Sequence, residues 1–273
     1  SKFLDLPSIH CSLGFHRLAI NGVGDEQSNQ PFFIDGIYLI CNGEIYNHKQ
    51  ILNILNITPR SKSDCESIIH LYKKYGIEQT LQLLDGVFAF VMIDTNTNQV
   101  FVARDTYGVR PLFVNIFKKT KSIDIDGAHY CTSYAFASEL KQVININKKN
   151  VCDEKIGQFE AGHLSRFKYH ETLRSHSSTR YTEIEHIEDI AFSAPNAFSI
   201  INCELYDNIL YNIYNKLYQA VLKRVDNTER PIACLLSGGL DSSLIAALVK
   251  NIHKGALHTW SIGFEGSDDL KYA

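Results

Sequence analysis

No Cys-x-x-Cys pair occurs among the seven cysteines, and no two histidines stand four apart beside carboxylates. The first absence, with the odd count, argues against a disulfide framework. It reads as a reduced, cytosolic protein with small buried thiols. The second leaves no zinc site visible. No apolar run approaches the roughly 18 residues that a membrane-crossing helix needs. Residues 1–12 carry one basic residue and no long apolar stretch, so no signal peptide is visible. Charge of one sign is not in excess either. A net charge of −3 argues against nucleic acid or an anionic membrane as the main partner. Internal repeats and low-complexity tracts are absent.

What is present is enough apolar material for one large or two ordinary domains, with 45% hydrophobic residues in 273. Between 12 and 165, short apolar runs alternate with turn signals. Strands are expected over 13–20, 32–40, 86–93, 99–103, 111–117 and 130–137. Helical spacing sets Ile68, Ile69, Leu71 and Tyr72 on one face of a helix over 65–75, with a shorter helix over 77–84. Ser63-Asp64 reads as its cap, with Glu66 placed as in a capping box. Many strands, a few helices and no strict alternation predict an α+β layered domain. Residues 171–202 break the periodicity and read as a surface linker. An amphipathic helix over 204–225 follows, its Leu205, Ile209, Ile213, Leu217 and Val221 stripe read as packing.

The run from Cys234 to Ser243, CLLSGGLDSS, carries the most specific signal. An apolar strand over 231–236 leads through Gly238 and Gly239 into an apolar helix. A second strand is expected over 257–264. Strand, glycine turn and helix N-terminus together present backbone N–H groups and a positive dipole end to an anion. The run lacks the Gly-Lys-Ser/Thr ending of a Walker A loop. It resembles the SGGxDS pyrophosphate loop of enzymes that cleave ATP to AMP and pyrophosphate.

Further motifs stand in order upstream: GFHRLAI at 14–20, CNGEIYNH at 41–48, SDCE at 63–66, LDGVFAF at 84–90, ARDTYGVRPLF at 103–113 and FASELK at 136–141. Together they resemble the glutaminase domain of the class II, N-terminal-nucleophile amidotransferases. Joined to SGGLDSS, the whole resembles the family of glutamine-hydrolysing asparagine synthetases, eukaryotic-like in type. The resemblance implies an N-terminal-nucleophile αββα sandwich, incomplete here, over 1–170. A linker over 171–202 and the start of an α/β open parallel-sheet ATP-pyrophosphatase domain over 203–273 would follow. It also implies asparagine synthesis from aspartate, glutamine and ATP with Mg²⁺, in the cytoplasm, and leaves a homodimer open. One small departure from the family pattern is Asp268, where a proline is common.

By this resemblance glutamine is bound by Arg17, Leu18, Ala19, Ile20, Asn42, Gly43, Glu44 and Asp64. The chemistry agrees. A guanidinium binds an α-carboxylate bidentately, which suits Arg17. Asp64, joined by Glu44, suits the α-ammonium. Asn42 and Gly43 match the oxyanion hole, one side-chain amide and one backbone N–H. Blander readings compete. Arg17 suits a surface ion pair, Asp64 a helix cap, and Asn42-Gly43 a type I′ hairpin turn. Arg104, Asp105 and Arg110 read as a structural ion-pair set, and His16 and His48 as structural. In the second domain Ser237, Gly238, Gly239, Asp241 and Ser242 match the pyrophosphate loop, with Asp241 near Mg²⁺. Leu235 and Ile262 match positions lining the adenine or ribose.

The family's nucleophile is a cysteine at the mature N-terminus whose own α-amine is the base. No residue given matches it, and the later synthetase segments are not matched either, so the expectation is an inactive fragment. Cys11 sits on a strand with no free amine beside it and reads as an inert buried thiol. Two other functions stay open: a degenerate, non-catalytic glutamine-binding module, and a β-lactam-synthetase-like ATP-dependent ligase.

Overall fold

In the computed structural model residues 2–7, 10–124, 127–144, 151–173, 180–193, 206–264 and 266–273 are described. The chain falls into two compact units, Ser1–Leu18 with Asp25–Asn196, and Ala19–Gly24 with Ala197–Ala273. The first unit opens with an antiparallel pair, β1 (Lys2–Leu6) and β2 (Cys11–Phe15). The strand expected to reach residue 20 thus ends at Phe15.

The strand expected over 32–40 is two strands. β3 (Phe32–Ile34) folds back on β4 (Ile37–Ile45) through Asp35 and Gly36, whose φ values are 50° and 82°. Two successive positive φ angles are what a tight hairpin turn demands. The turn is therefore at Asp35-Gly36, and Asn42-Gly43 lie inside β4. Helices α1 (His48–Ile54), α2 (Glu66–Tyr75) and α3 (Ile77–Leu83) follow, then β5 (Gly86–Asp94) and β6 (Gln99–Arg104). After these come β7 (Phe113–Asp124), β8 (Gly127–Ala137), α4 (Leu140–Ile144), β9 (Val151–Gln158), β10 (His163–Leu173) and β11 (Arg180–Ala191). The stretch expected to be linker thus supplies β11, which pairs along β10.

Besides the β1-β2 pair, the described residues of this unit form two sheets, one ordered β11-β10-β6-β5-β4-β3 and one β8-β7-β9, every neighbouring pair antiparallel. Alternation along β4 and β5 explains the layering. Leu39, Cys41 and Ile45 with Phe88, Phe90 and Met92 face α1–α3, closing on Ile51, Ile68, Ile69, Leu71 and Leu81. The opposite face, with Ala89, Val102 and Phe167, packs on Leu112, Tyr134, Phe136 and Phe159 at the smaller sheet. Beyond that sheet the short α4 buries Val143, whose carbonyl accepts from Asn115 Nδ2 of β7 at 2.8 Å. Helices, sheet, sheet and a short helix make the αββα order expected.

In the second unit α5 (Tyr206–Asp226) packs on α6 (Leu240–Ile252) through Leu217, Val221 and Val225 against Leu248, Val249 and Ile252. Strands β12 (Ala233–Leu235) and β13 (His258–Trp260) pair in parallel across α6, and α7 (Asp268–Tyr272) ends the chain. This is the first turn of an open α/β sheet.

Candidate functional site

The site is built around the end of β4. Phe88 N–H donates to Asp105 Oδ2 at 3.2 Å, and its carbonyl accepts from Asp105 N–H at 2.8 Å. Both groups therefore point from β5 toward β6. Gly43, paired with Phe88, is left in a non-hydrogen-bonded register with its own N–H and C=O aimed at the outer edge of β4. The close approach requires glycine. A Cβ on Gly43 would stand 2.5 Å from Val87 O and 2.8 Å from Phe88 Cα.

That outer edge is met by side chains. Gln30, 4% exposed, accepts from Cys41 N–H through Oε1 at 2.6 Å and donates to Cys41 O through Nε2 at 3.2 Å. Cys65 Sγ lies 3.7 Å from Gly43 O. Asp64 Oδ2 accepts from Ile45 N–H at 2.6 Å, and His48 Nδ1 is 2.9 Å from Ile45 O. Gly43 N–H is thus the outward group of this stretch left without a hydrogen bond among the described residues.

Asn42 and Glu44 project from the other face of β4. Asn42 lines a cavity of about 110 Å³ with Gly14 and Phe15 of β2, Ala89, Pro111 and Phe136. Arg17 and Leu18 follow β2 after His16, with Leu18 88% exposed. Glu44 is paired with Arg110, whose NH2 donates to Oε1 at 2.8 Å, both side chains part-buried. The reading of Arg104, Asp105 and Arg110 as a mutual ion-pair set is corrected accordingly. Arg104 donates to the carbonyls of Gly108, Arg110 and Phe159, and Asp105 accepts from the N–H groups of Phe88, Tyr107, Val109 and Arg110. These two residues bind backbone because a sharp turn leaves many amide groups unpaired.

The capping box is likewise corrected. The residue before α2 is Cys65, which makes no side-chain cap, and Asp64 turns to β4 instead. Glu66 reaches back past Ser63 to the N–H groups of Arg60 and Ser61, the Ser61 hydroxyl and His70. Burial raises the Glu66 pKa, but hydrogen bonds from His70, Ser61 and Arg60 outweigh it and hold the carboxyl below its usual range. The carboxylate pins the loop that carries Asp64.

Ala19 and Ile20 belong to the second unit. Ala19 O accepts from Arg230 Nε and Ile20 O from Glu229 N–H, both at 3.1 Å.

Cys11 does not carry the character of a nucleophile. Burial pushes its thiol up to about 11, so little thiolate forms near neutral pH. Cys65 is raised as well, first by its hydrogen bond with Cys41 and then by burial. No group of three or more His, Cys, Asp or Glu fit for a metal occurs among the described residues.

In the second unit β12 ends at Leu235, and Leu236 N–H donates to Trp260 O at 2.8 Å. Gly238, with φ 78°, then turns the chain into α6, whose N-cap is Gly239. Such a φ is strained for any residue with a Cβ. Ser242 Oγ receives Ser237 N–H at 3.2 Å, lies 3.0 Å from Ser237 Oγ and donates to Gly239 O at 3.1 Å. Ser243 Oγ donates to the same carbonyl at 2.8 Å. The loop is thereby tied to the first turn of α6, beside Asp241. Leu235 and Ile262 are 83% and 98% exposed at the C-terminal ends of the two strands, where open α/β sheets take ligands.

Comparison with known proteins gives the glutamine amidotransferase domain over residues 6–191 and asparagine synthase over residues 212–273. The chain is 38% identical to the asparagine synthetases [glutamine-hydrolyzing] of Pongo abelii and Homo sapiens, and 36% identical to that of Gallus gallus. Each match covers 96% of this chain and 46% of the relative, so the chain spans about half the length of the curated relatives it matches. Among solved structures, a glutamine phosphoribosylpyrophosphate amidotransferase from B. subtilis aligns with a TM-score of 0.38 at 17% identity. It covers 83% of this chain and 48% of its own.

Proposed function

Because the chain belongs to the glutamine amidotransferase domain family and continues into an asparagine synthase segment, we propose that the native protein is a glutamine-hydrolysing asparagine synthetase. In this reading glutamine is hydrolysed to glutamate and ammonia in the first unit. The second unit joins the side-chain carboxylate of aspartate to AMP, releasing pyrophosphate from ATP. Ammonia attacks that acyl-adenylate, forming asparagine and releasing AMP.

The observation that carries the reading is the outward Gly43 N–H beside Asn42. A backbone donor held by the sheet, with the Asn42 amide on the adjoining residue, suits the oxygen that gains charge as a tetrahedral intermediate forms. Arg17, just beyond the strand that lines the cavity with Asn42, suits the α-carboxylate of glutamine. Asp64, held at β4 by Ile45 N–H, suits the α-ammonium. Glu44, already neutralised by Arg110, contributes shape at the site and not a free charge. We take the glutaminase domain to run to the end of β11, and the synthetase domain to begin within residues 203–273.

For ATP, the Gly238-Gly239 turn leaves room for a phosphate chain at the start of α6, where the helix dipole favours negative charge. Ser237, Gly238, Gly239 and Ser242 line it. Asp241 is the carboxylate in that first turn. A single carboxylate fits Mg²⁺, which takes one or two of them and fills its remaining positions with phosphate and water. The ion would supply charge neutralisation of the pyrophosphate leaving group. We place the protein in the cytoplasm, where reduced cysteines persist. No helix among the described residues is long and apolar enough to cross a membrane.

The test uses two variants of the native gene product. Arg17→Ala should abolish glutamine-dependent asparagine synthesis and spare synthesis from added ammonia. Asp241→Ala should stop both. Equal loss of both activities in Arg17→Ala would make Arg17 structural, and a native product with neither activity would overturn the reading.

A further inference from the structure

Among the described residues the outer edge of β4 has no neighbouring strand beyond Leu39, where β3 ends its pairing. Cys41 is the next outward-facing residue, and it stands directly before Asn42 and Gly43. Its N–H and C=O are both taken by one side chain, that of Gln30, at 2.6 and 3.2 Å. A primary amide presents one acceptor and one donor side by side, as a neighbouring strand residue does. Gln30 is therefore a one-residue substitute for a strand. It is 4% exposed, so water does not compete for these bonds.

Resting on the glutaminase reading, we propose that Gln30 is a positioning residue for the oxyanion hole, fixing the twist and register of β4 at Cys41 so that the Gly43 N–H and the Asn42 amide converge on the same oxygen. Two features support this. The bond pair acts on the residue adjoining Asn42, so rotation of the Cys41 peptide would be passed on to both donors. Past that point, among the described residues, the edge is held at Gly43 O by the Cys65 thiol, a weak donor, and at Ile45 by Asp64 and His48. Without Gln30 no strong hold remains between Leu39 and Ile45 on this side among the described residues. Gln30 itself is not required to touch glutamine.

The predicted signature separates positioning from folding. Gln30→Met keeps length and volume but removes both hydrogen bonds. In the native gene product it should lower kcat for glutamine hydrolysis on the order of 10- to 100-fold, as a partly misaimed oxyanion donor does. KM for glutamine should stay within about twofold, because the groups suited to bind glutamine's α-carboxylate and α-ammonium are elsewhere. Ammonia-dependent synthesis should be unchanged. Gln30→Glu keeps an acceptor for Cys41 N–H but sets a carboxylate oxygen against Cys41 O, so its kcat should fall at least as far as that of Gln30→Met. Gln30→Leu, which also lacks both hydrogen bonds, serves as the working variant if Gln30→Met does not fold by circular dichroism. An unchanged kcat, or a parallel loss of kcat, glutamine affinity and ammonia-dependent synthesis, overturns the assignment. Absence of glutamine hydrolysis in the wild-type protein overturns the glutaminase reading itself, which is a distinguishable result.

Discussion

Gly43→Ala tests the geometry of the β4–β5 pair directly. The added Cβ would meet Val87 O at 2.5 Å and Phe88 Cα at 2.8 Å, both backbone atoms of a central strand. Carbon–carbon contacts settle near about 3.5–4.0 Å, so the strands must separate there by roughly 0.7 Å or more. Neither strand yields easily. Phe88 is bonded on its far side to Asp105, and Cys41 is clamped by Gln30. The strain should cost about 1–3 kcal/mol of stability, the range for overpacking a filled interior. Displacement of the Gly43 N–H should cost more in rate than in stability. Losing one oxyanion donor lowers kcat by roughly 10²–10³-fold, and a shift near 1 Å can have a similar effect. The assay is glutamine-dependent and ammonia-dependent asparagine synthesis in the native gene product, with thermal unfolding alongside. Glutaminase kcat within twofold of wild type in a folded Gly43→Ala protein would refute the register argued for β4.

The remaining predictions concern ionisation. The Glu66 carboxyl is held below its usual range in the folded chain, so its hydrogen bonds stabilise the fold fully above its unfolded pKa of about 4.3 and less as pH falls through the lower folded value. A Glu66→Gln variant should therefore be less stable than wild type at pH 7, and the gap should narrow toward pH 3. Urea unfolding at both pH values checks this, and a gap that widens on acidification contradicts it. Cys11, pushed up to about 11, should be about one part in a thousand thiolate at pH 8. Iodoacetamide should leave it unlabelled in the folded protein and label it in urea, by peptide mass spectrometry. In the native gene product Cys11→Ser should keep glutamine hydrolysis, and loss of hydrolysis with the fold intact would contradict the reading of Cys11 as inert.

Elements with strong local signals were legible in the sequence. Gly86–Asp94, Gln99–Arg104, Glu66–Tyr75 and Ile77–Leu83 lie within a residue or so of the expected spans, because apolar period and bounding turn residues agree there. Two-residue turns were not resolved, since Asp35-Gly36 and Asn42-Gly43 carry equivalent turn chemistry. Only the packing of Leu39, Cys41 and Ile45 on α1–α3 selects between them. Strand β11 was hidden for another reason. The pairing shifts between Arg166 and Phe167, so that Glu188 and His186 oppose them and Ile187 bulges outward, 46% exposed. Ile184 then packs with Phe167 and Tyr169 while Ile190 joins the core under α1–α3. A bulge that moves two isoleucines to opposite faces erases the alternation by which a strand is read. The roles of Arg104, Asp105 and Gln30 share a third cause. Their partners are main-chain groups, which leave no mark on residue identity. The pairing of Arg110 with Glu44 was missed because 66 positions separate them.

The side chains along β4 have a consequence outside catalysis. An uncovered strand edge is a template on which a second molecule can add its own strand, and the addition can repeat into aggregates. At Cys41 and Ile45 both outward backbone groups are occupied by Gln30, Asp64 and His48, so an incoming chain finds no two consecutive rungs free. Among the described residues the gap left is one N–H wide, which admits an oxygen atom and excludes a polypeptide.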